Sequence, residues 1–274
     1  MTVLLQVSDP HFGTERPTVV HALAELARAQ RPDLVVLSGD ITQRARPAQF
    51  RAARAFTDRL GVPVLAVPGN HDIPLFDLWT RLRRPYARYA AAFGADLEPV
   101  HRSHDLLVVG VNTTSARRHK DGEISPPQIE RVAALLEGAA ATQLRVLVVH
   151  QPIAVTRDDD LPNRLHGHDA ALQRWATAGA DLVLGGHIHL PYVMALKDLA
   201  RPMWAVQAGT AVSTRVRPGV PNSVNLLRWG QDSTPGLCQV EQWDFAEDVG
   251  LFVRIKLSEV RPTRDEVGQE SPVS

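Results

Sequence analysis

Between Thr2 and Leu184 the chain repeats one pattern: a short apolar run that stops abruptly, followed at once by Asp, Asn or His. The runs are Thr2–Val7, Leu34–Leu37, Val62–Ala66, Leu144–Val149 and Asp181–Leu184. Short, nearly continuous apolar runs of this kind are strands buried on both faces, as in a parallel sheet. Between the first three lie Pro17–Gln30 and Pro47–Leu60, where apolar residues recur at helical spacing. Strand, helix, strand at this spacing is a βαβ unit with a right-handed crossover. Parallel strands in such units place their carboxyl ends at one edge of the sheet, where open α/β sheets bind ligands.

That edge collects the reactive side chains. Val67-Pro68 closes the third run, and Gly69-Asn70-His71-Asp72 follows, bringing an amide, an imidazole and a carboxylate to the turn. Taken alone, the segment also reads as a polar turn with Asp72 capping a helix. Asp9 and His11 follow the first strand two residues apart, a spacing that lets both side chains converge on a borderline metal ion or else places Asp9 as a cap. Asp40 follows the second strand, His150 the strand Leu144–Val149, and Gly185-Gly186-His187-Ile188-His189 the strand Asp181–Leu184. The paired glycines there allow close backbone approach.

Elsewhere the residues say less. Residues 74–96 carry Trp79, Leu82, Tyr86, Tyr89, Ala90 and Phe93 at helical spacing, which predicts a helix with an aromatic core face and a basic outer face. Residues 97–111 turn to β, and 115–125 form a polar loop able either to line a cleft or to sit in solvent. A helix is expected from Pro126 to about Gly138 and another over 169–178, with His166 and His168 serving its cap. Beyond His189 the texture changes to β hairpins: Tyr192–Leu196, Met203–Gln207, Ser223–Trp229, Gly236–Trp243 and Leu251–Leu257. One domain over 1–260 and a mobile polar tail over 261–274 are expected.

Lys plus Arg and Asp plus Glu both number 30, so bulk charge gives no sign of a nucleic-acid polymer or a membrane surface as partner. The single cysteine, Cys238, has no intramolecular disulfide partner, and no apolar run approaches a membrane span; the expectation is a cytoplasmic protein.

In this order, the blocks Asp9-x-His11, Gly39-Asp40-x-Thr42, Gly69-Asn70-His71-Asp72, His150-x-Pro152 and Gly186-His187-x-His189 resemble the calcineurin-like metallophosphoesterases. The spacing is most similar to the bacterial class III cyclic nucleotide phosphodiesterase-like branch, which also holds glycerophosphodiesterases. The resemblance covers residues 1–260, including Gln207-Ala208-Gly209-Thr210, and departs at Gln151, where many relatives carry a second histidine. It implies an α/β (α+β) fold, a four-layer αββα sandwich of two mixed β-sheets flanked by helices. It implies two transition-metal ions (Mn, Fe or Zn), one on Asp9, His11 and His189, the other on Asn70, His150 and His187, with Asp40 between them. A metal-bridging hydroxide would attack a small phosphodiester, cyclic nucleotides included, while His71, oriented by Asp72, protonates the leaving oxygen. A phosphomonoesterase or nucleotide-sugar pyrophosphatase is the alternative; a nuclease or a non-catalytic binding module fits the residues less well. Oligomeric state is not legible in the sequence.

Overall fold

The computed structural model describes residues 1–118, 120–230 and 236–263. Strand β1 (Thr2–Val7) pairs in parallel with β2 (Leu34–Ser38), and β2 with β3 (Val64–Val67). The crossovers between them are α1 (Pro17–Gln30) and α2 (Pro47–Leu60), with the bounds that the apolar spacing predicts. Each helix opens on a proline, whose fixed φ suits the first turn, and each ends on a left-handed residue, Arg31 or Gly61.

The second sheet is built on β5 (Leu106–Gly110), β6 (Leu144–Val148) and β7 (Leu182–Gly185), again parallel, with α5 (Pro126–Glu137) and α6 (His168–Ala178) as crossovers. The short β4 (Val100–Arg102) pairs antiparallel with β5 at one edge. At the other, β9 (Trp204–Gln207) lies parallel to β7 and carries β8 (Tyr192–Ala195) as a hairpin partner. The chain then returns to the first sheet. There β10 (Ser223–Trp229) pairs antiparallel with β1, and β11 (Cys238–Ala246) and β12 (Leu251–Val260) extend the edge. The strand orders are β12-β11-β10-β1-β2-β3 and β4-β5-β6-β7-β9-β8.

Alternation along the central strands builds the layers. Leu5, Val35 and Leu37 point outward onto α1 and α2, while Leu4, Leu34, Val36 and Val67 point inward. Val108, Val146 and Leu184 of the second sheet meet them, and Leu107, Leu147 and Val183 face Trp175 and Ile129 on α5 and α6. The result is the expected αββα sandwich of two mixed sheets, with apolar contact between the sheets as well as under the helices.

One polar tie crosses the inter-sheet core. Gln6 is fully buried and donates to the Gly185 carbonyl (3.0 Å) and the Ser38 hydroxyl (3.2 Å). Its own oxygen accepts from Asn225, which also donates to the Gln207 carbonyl at 3.1 Å. Residues of β1, β7, β9 and β10 are thereby locked together just beneath the strand ends.

Segment 74–96 differs from expectation. It forms two short helices, α3 (Leu78–Arg83) and α4 (Ala87–Phe93). Tyr89 is the buried aromatic, its hydroxyl donating to the Ala66 carbonyl at 2.7 Å. Trp79 and Leu82 are instead 71% and 74% exposed, because α3 packs no side chain into the core. Helical spacing reports an apolar stripe; it does not report what covers the stripe. Residues 264–274, most of the expected tail, lie outside the described residues.

Candidate metal centre

The first sheet delivers Asp9 and His11 after β1, Asp40 after β2 and Asn70 after β3; the second delivers His150 after β6 and His187 and His189 after β7. They meet where the carboxyl ends of the central strands of the two stacked sheets come together. Two groups form, Asp9–His11–His189 and Asp40–His150–His187, with ligand atoms within 4.8 Å of one another in each. Each group draws on both sheets, so the site depends on how the layers are stacked.

The local backbone is unusual at these positions. Among the described residues eight non-glycine positions have left-handed φ, and five are site residues: Asp9 (49°), His11 (42°), Asp40 (48°), His187 (72°) and His189 (55°). Such conformations cost roughly 1–3 kcal/mol each and persist only where the surroundings impose them. Here each turns the chain back after a strand so that its side chain faces the inter-sheet cleft. Two glycines permit the resulting crowding. A Cβ on Gly69 would overlap the Asp40 amide nitrogen and carboxylate, and one on Gly186 would overlap the Ser8 hydroxyl and Asp9 carboxylate.

In the first group the Nε2 atoms of His11 and His189 stand 3.3 Å apart, and Asp9 Oδ1 lies 3.3 Å from His189 Nε2 and 3.8 Å from His11 Nε2. His189 Nδ1 donates to the Arg215 carbonyl (2.5 Å), which fixes the tautomer and turns the Nε2 lone pair inward. In the second group, His150 Nδ1 donates to the Ser38 carbonyl (3.0 Å), and its Nε2 lies 3.2 Å from both Asp40 Oδ1 and Asn70 Oδ1. Asp40 also reaches the first group, its Oδ2 being 3.8 Å from His11 Nε2.

The donor set suits divalent cations. Burial pushes the His11 and His187 imidazoles down to about 3, leaving both neutral, and His11 Nδ1 is a buried atom without a hydrogen-bond partner. Two lone-pair nitrogens facing one another, as His11 Nε2 and His189 Nε2 do at 3.3 Å, repel unless a cation or a proton lies between them. Where no metal takes that place, protons do. Burial alone would depress His150, but Asp40 overrides it and holds the imidazole up at about 9; Asp9 likewise holds His189 above its usual range against burial. The carboxylates respond in kind: although burial opposes ionisation, His189 beside Asp9 holds it down at about 2, and His150 holds Asp40 well below its usual value.

His71 borders the site, its ring centroid 4.9 Å from that of His11. Its amide donates to Asp40 Oδ1 (2.8 Å) and its Nδ1 donates to the Gln43 carbonyl (2.9 Å), leaving Nε2 as the free ring nitrogen. Asp72 was expected to orient this imidazole. Its carboxylate instead accepts from the amides of Ile41 (3.0 Å), Thr42 (2.8 Å) and Gly69 (2.9 Å) and from the Thr42 hydroxyl (2.9 Å). Asp72 thus clamps the loop after β2 to the turn after β3, and Gln43 aims the ring. Burial pushes the Asp72 carboxyl up to about 6, with the Asp40 charge adding to it against the three amide donors.

The remaining sequence candidates sort cleanly. Gln151, in the position of departure from the family pattern, is buried and accepts from Thr113 (2.6 Å) while donating to the Lys120 carbonyl (3.1 Å); it holds the 113–122 loop. His168 donates to the Leu165 carbonyl (2.7 Å), and Gly167 is the helix cap, with no side-chain acceptor; neither His166 nor His168 joins a metal group. Sequence reasoning missed Gln43 and Arg215 and gave no role to Thr210, whose hydroxyl also donates to the Arg215 carbonyl at 3.0 Å. Two of these act through main-chain carbonyls, which leave no trace in side-chain identity.

The family model for calcineurin-like phosphoesterases matches residues 2–191, which span both ligand groups. The chain belongs to the calcineurin-like phosphoesterase family. This phosphoesterase is 25% identical over 211 residues to a probable cyclic nucleotide phosphodiesterase of Synechococcus sp., covering 69% of the chain and 74% of the relative. It is 30% identical over 206 residues to a cAMP/cGMP dual specificity phosphodiesterase of Mycobacterium tuberculosis, covering 68% of the chain but 61%, under two thirds, of that relative. Among solved structures it superposes on a dimetal phosphatase from Danio rerio with a TM-score of 0.67 at 14% identity, covering 96% of the chain and 99% of the neighbour. The enzyme is therefore a hydrolase of phosphoric esters on a metallophosphoesterase fold. Among the described residues no helix is long and apolar enough to cross a membrane.

Proposed function

We propose that this phosphoesterase is a two-metal phosphodiesterase acting on small diesters, cyclic nucleotides among them. The observation that carries the reading is Asp40, whose Oδ1 faces His150 at 3.2 Å while its Oδ2 faces His11 at 3.8 Å, so that one carboxylate serves both ligand groups. Asp9, His11 and His189 would hold one ion and Asn70, His150 and His187 the other, with Asp40 between them. Mixed nitrogen and oxygen donors suit Mn, Fe or Zn. Bound divalent cations supply Lewis acidity and a water nucleophile at neutral pH.

The chain's own groups do the rest. Two divalent ions bring four positive charges; Asp9, Asp40 and the nearby Asp72 offset at most three. The cleft stays cationic and draws an anionic phosphate ester. His71 presents Nε2 to the cleft with Nδ1 committed to Gln43, the arrangement of a ring that gives a proton to a departing oxygen. The named activities of the two bacterial relatives support a diester, and a cyclic nucleotide in particular. A cytoplasmic setting fits a chain whose single cysteine, Cys238, is buried between the sheets.

Metal-loaded enzyme assayed on matched aryl mono- and diesters and on 2′,3′- and 3′,5′-cyclic nucleotides tests the reading. Diester turnover should dominate. Monoester turnover roughly a hundredfold above diester turnover, about 2.7 kcal/mol in barrier, would reverse the assignment.

A further inference from the structure

A chain of hydrogen bonds links His71 to His189 through Gln43 and Arg215. His71 donates to the Gln43 carbonyl (2.9 Å), the Gln43 side-chain oxygen accepts from Arg215 Nη1 (3.1 Å), and the Arg215 carbonyl accepts from His189 (2.5 Å). Gln43 belongs to the loop after β2 and Arg215 to the loop after β9, so the two sheets contribute one residue each. Gln43 thus contacts both the histidine proposed as acid and the Arg215 guanidinium, while the Arg215 main chain holds a histidine of the first ligand group.

Its partner is what sets Arg215 apart. Other arginines have carboxylate partners: Arg217 pairs with Asp160 at 2.9 Å, Arg88 with Asp77 at 2.6 Å and Arg118 with Glu123 at 2.8 Å. Arg44 stacks on the ring of Phe76, 5.3 Å from its centroid. Among the described residues, the Arg215 guanidinium has only the neutral amide oxygen of Gln43 as its side-chain partner. A neutral acceptor on the surface holds a guanidinium weakly, and an anionic oxygen, offering a charge-assisted and bidentate bond, displaces it.

We propose that Arg215 is the substrate-clamping side chain of this site. Its guanidinium leaves Gln43 to engage a non-bridging oxygen of the phosphodiester, on the flank between His71 and His189. The inference rests on the phosphodiesterase reading. It predicts a binding role separable from metal retention, because His189 is held by the Arg215 main-chain carbonyl, which every substitution at 215 preserves.

The test compares wild type, Arg215→Met and Arg215→Lys, all metal-loaded, by titration calorimetry with inorganic phosphate and by KM and kcat on an aryl diester, with metal content measured alongside. Arg215→Met should weaken phosphate binding and raise KM by roughly 10- to 100-fold, with the smaller change in kcat, while metal content stays at the wild-type level. Arg215→Lys should recover part of the affinity, since it keeps the charge and loses the fork. Unchanged phosphate affinity and KM in Arg215→Met overturn the proposal, and so does loss of metal, which would make Arg215 structural. If wild type cleaves no diester but phosphate binding still depends on Arg215, the function reading fails and the clamp stands.

Discussion

His71 is where the site's chemistry separates from its scaffolding. Its Nδ1 is committed to Gln43 and its amide to Asp40, so only Nε2 remains for a substrate. A general acid matters in proportion to how badly the leaving group needs a proton. His71→Ala should therefore slow a diester with an alkoxide leaving group by roughly 10²–10⁴-fold and a nitrophenyl diester much less, with metal content intact. Rates on both substrates with metal analysis decide it; equal losses on the two would remove His71 from the acid role. The identity of this residue was legible in Gly69-Asn70-His71-Asp72, but its orientation was not. Asp72 follows it in sequence and looked like the orienting group, yet three amides and a hydroxyl occupy that carboxylate.

At the scale of elements, the strand-then-ligand pattern was legible because strands buried on both faces read as unbroken apolar runs, and the turn after each is short. The same economy makes the turns intolerant. Gly186→Ala places a methyl group on the Ser8 hydroxyl and Asp9 carboxylate, and overpacking of this kind costs about 1–3 kcal/mol. The variant should melt lower and lose metal from the Asp9–His11–His189 group, read by calorimetry and metal analysis; wild-type values for both would show that the Gly186 contact is not needed. Helix α3 marks the opposite case. Trp79 and Leu82 have the spacing of a core face, yet α3 buries no side chain and both stay in solvent.

For the whole molecule, the residues alone placed all five strand-then-ligand runs at one sheet edge, and only the family resemblance implied two sheets. The structure divides them, β1 to β3 in one sheet and β6 and β7 in the other, and the hairpin region did not announce its own division. β8 and β9 join the second sheet and β10 to β12 the first, and that split stacks the two edges so that each ligand group draws on both sheets. A site shared between layers ties metal to stability. In metal-stripped protein His11 and His187 are held at about 3 against an ordinary value of 6.5, so below pH 6.5 the unfolded chain takes up two protons that the fold refuses. Asp72, held at about 6, opposes this with one proton, and His150, held at about 9, contributes fully below pH 6.5 and loses its contribution as pH rises through 9. The stripped protein should thus lose stability on either side of near-neutral pH, the Tm falling both from pH 6.5 toward pH 4 and from pH 7 through pH 9. A Tm that stays flat across the acid range contradicts these protonation states. The central claim, that Asp40 joins two ion sites into one centre, is tested most directly by the metal content of purified Asp40→Ala beside wild type. Wild type should hold up to two transition-metal ions per chain and Asp40→Ala neither; full occupancy in the folded variant would contradict the account.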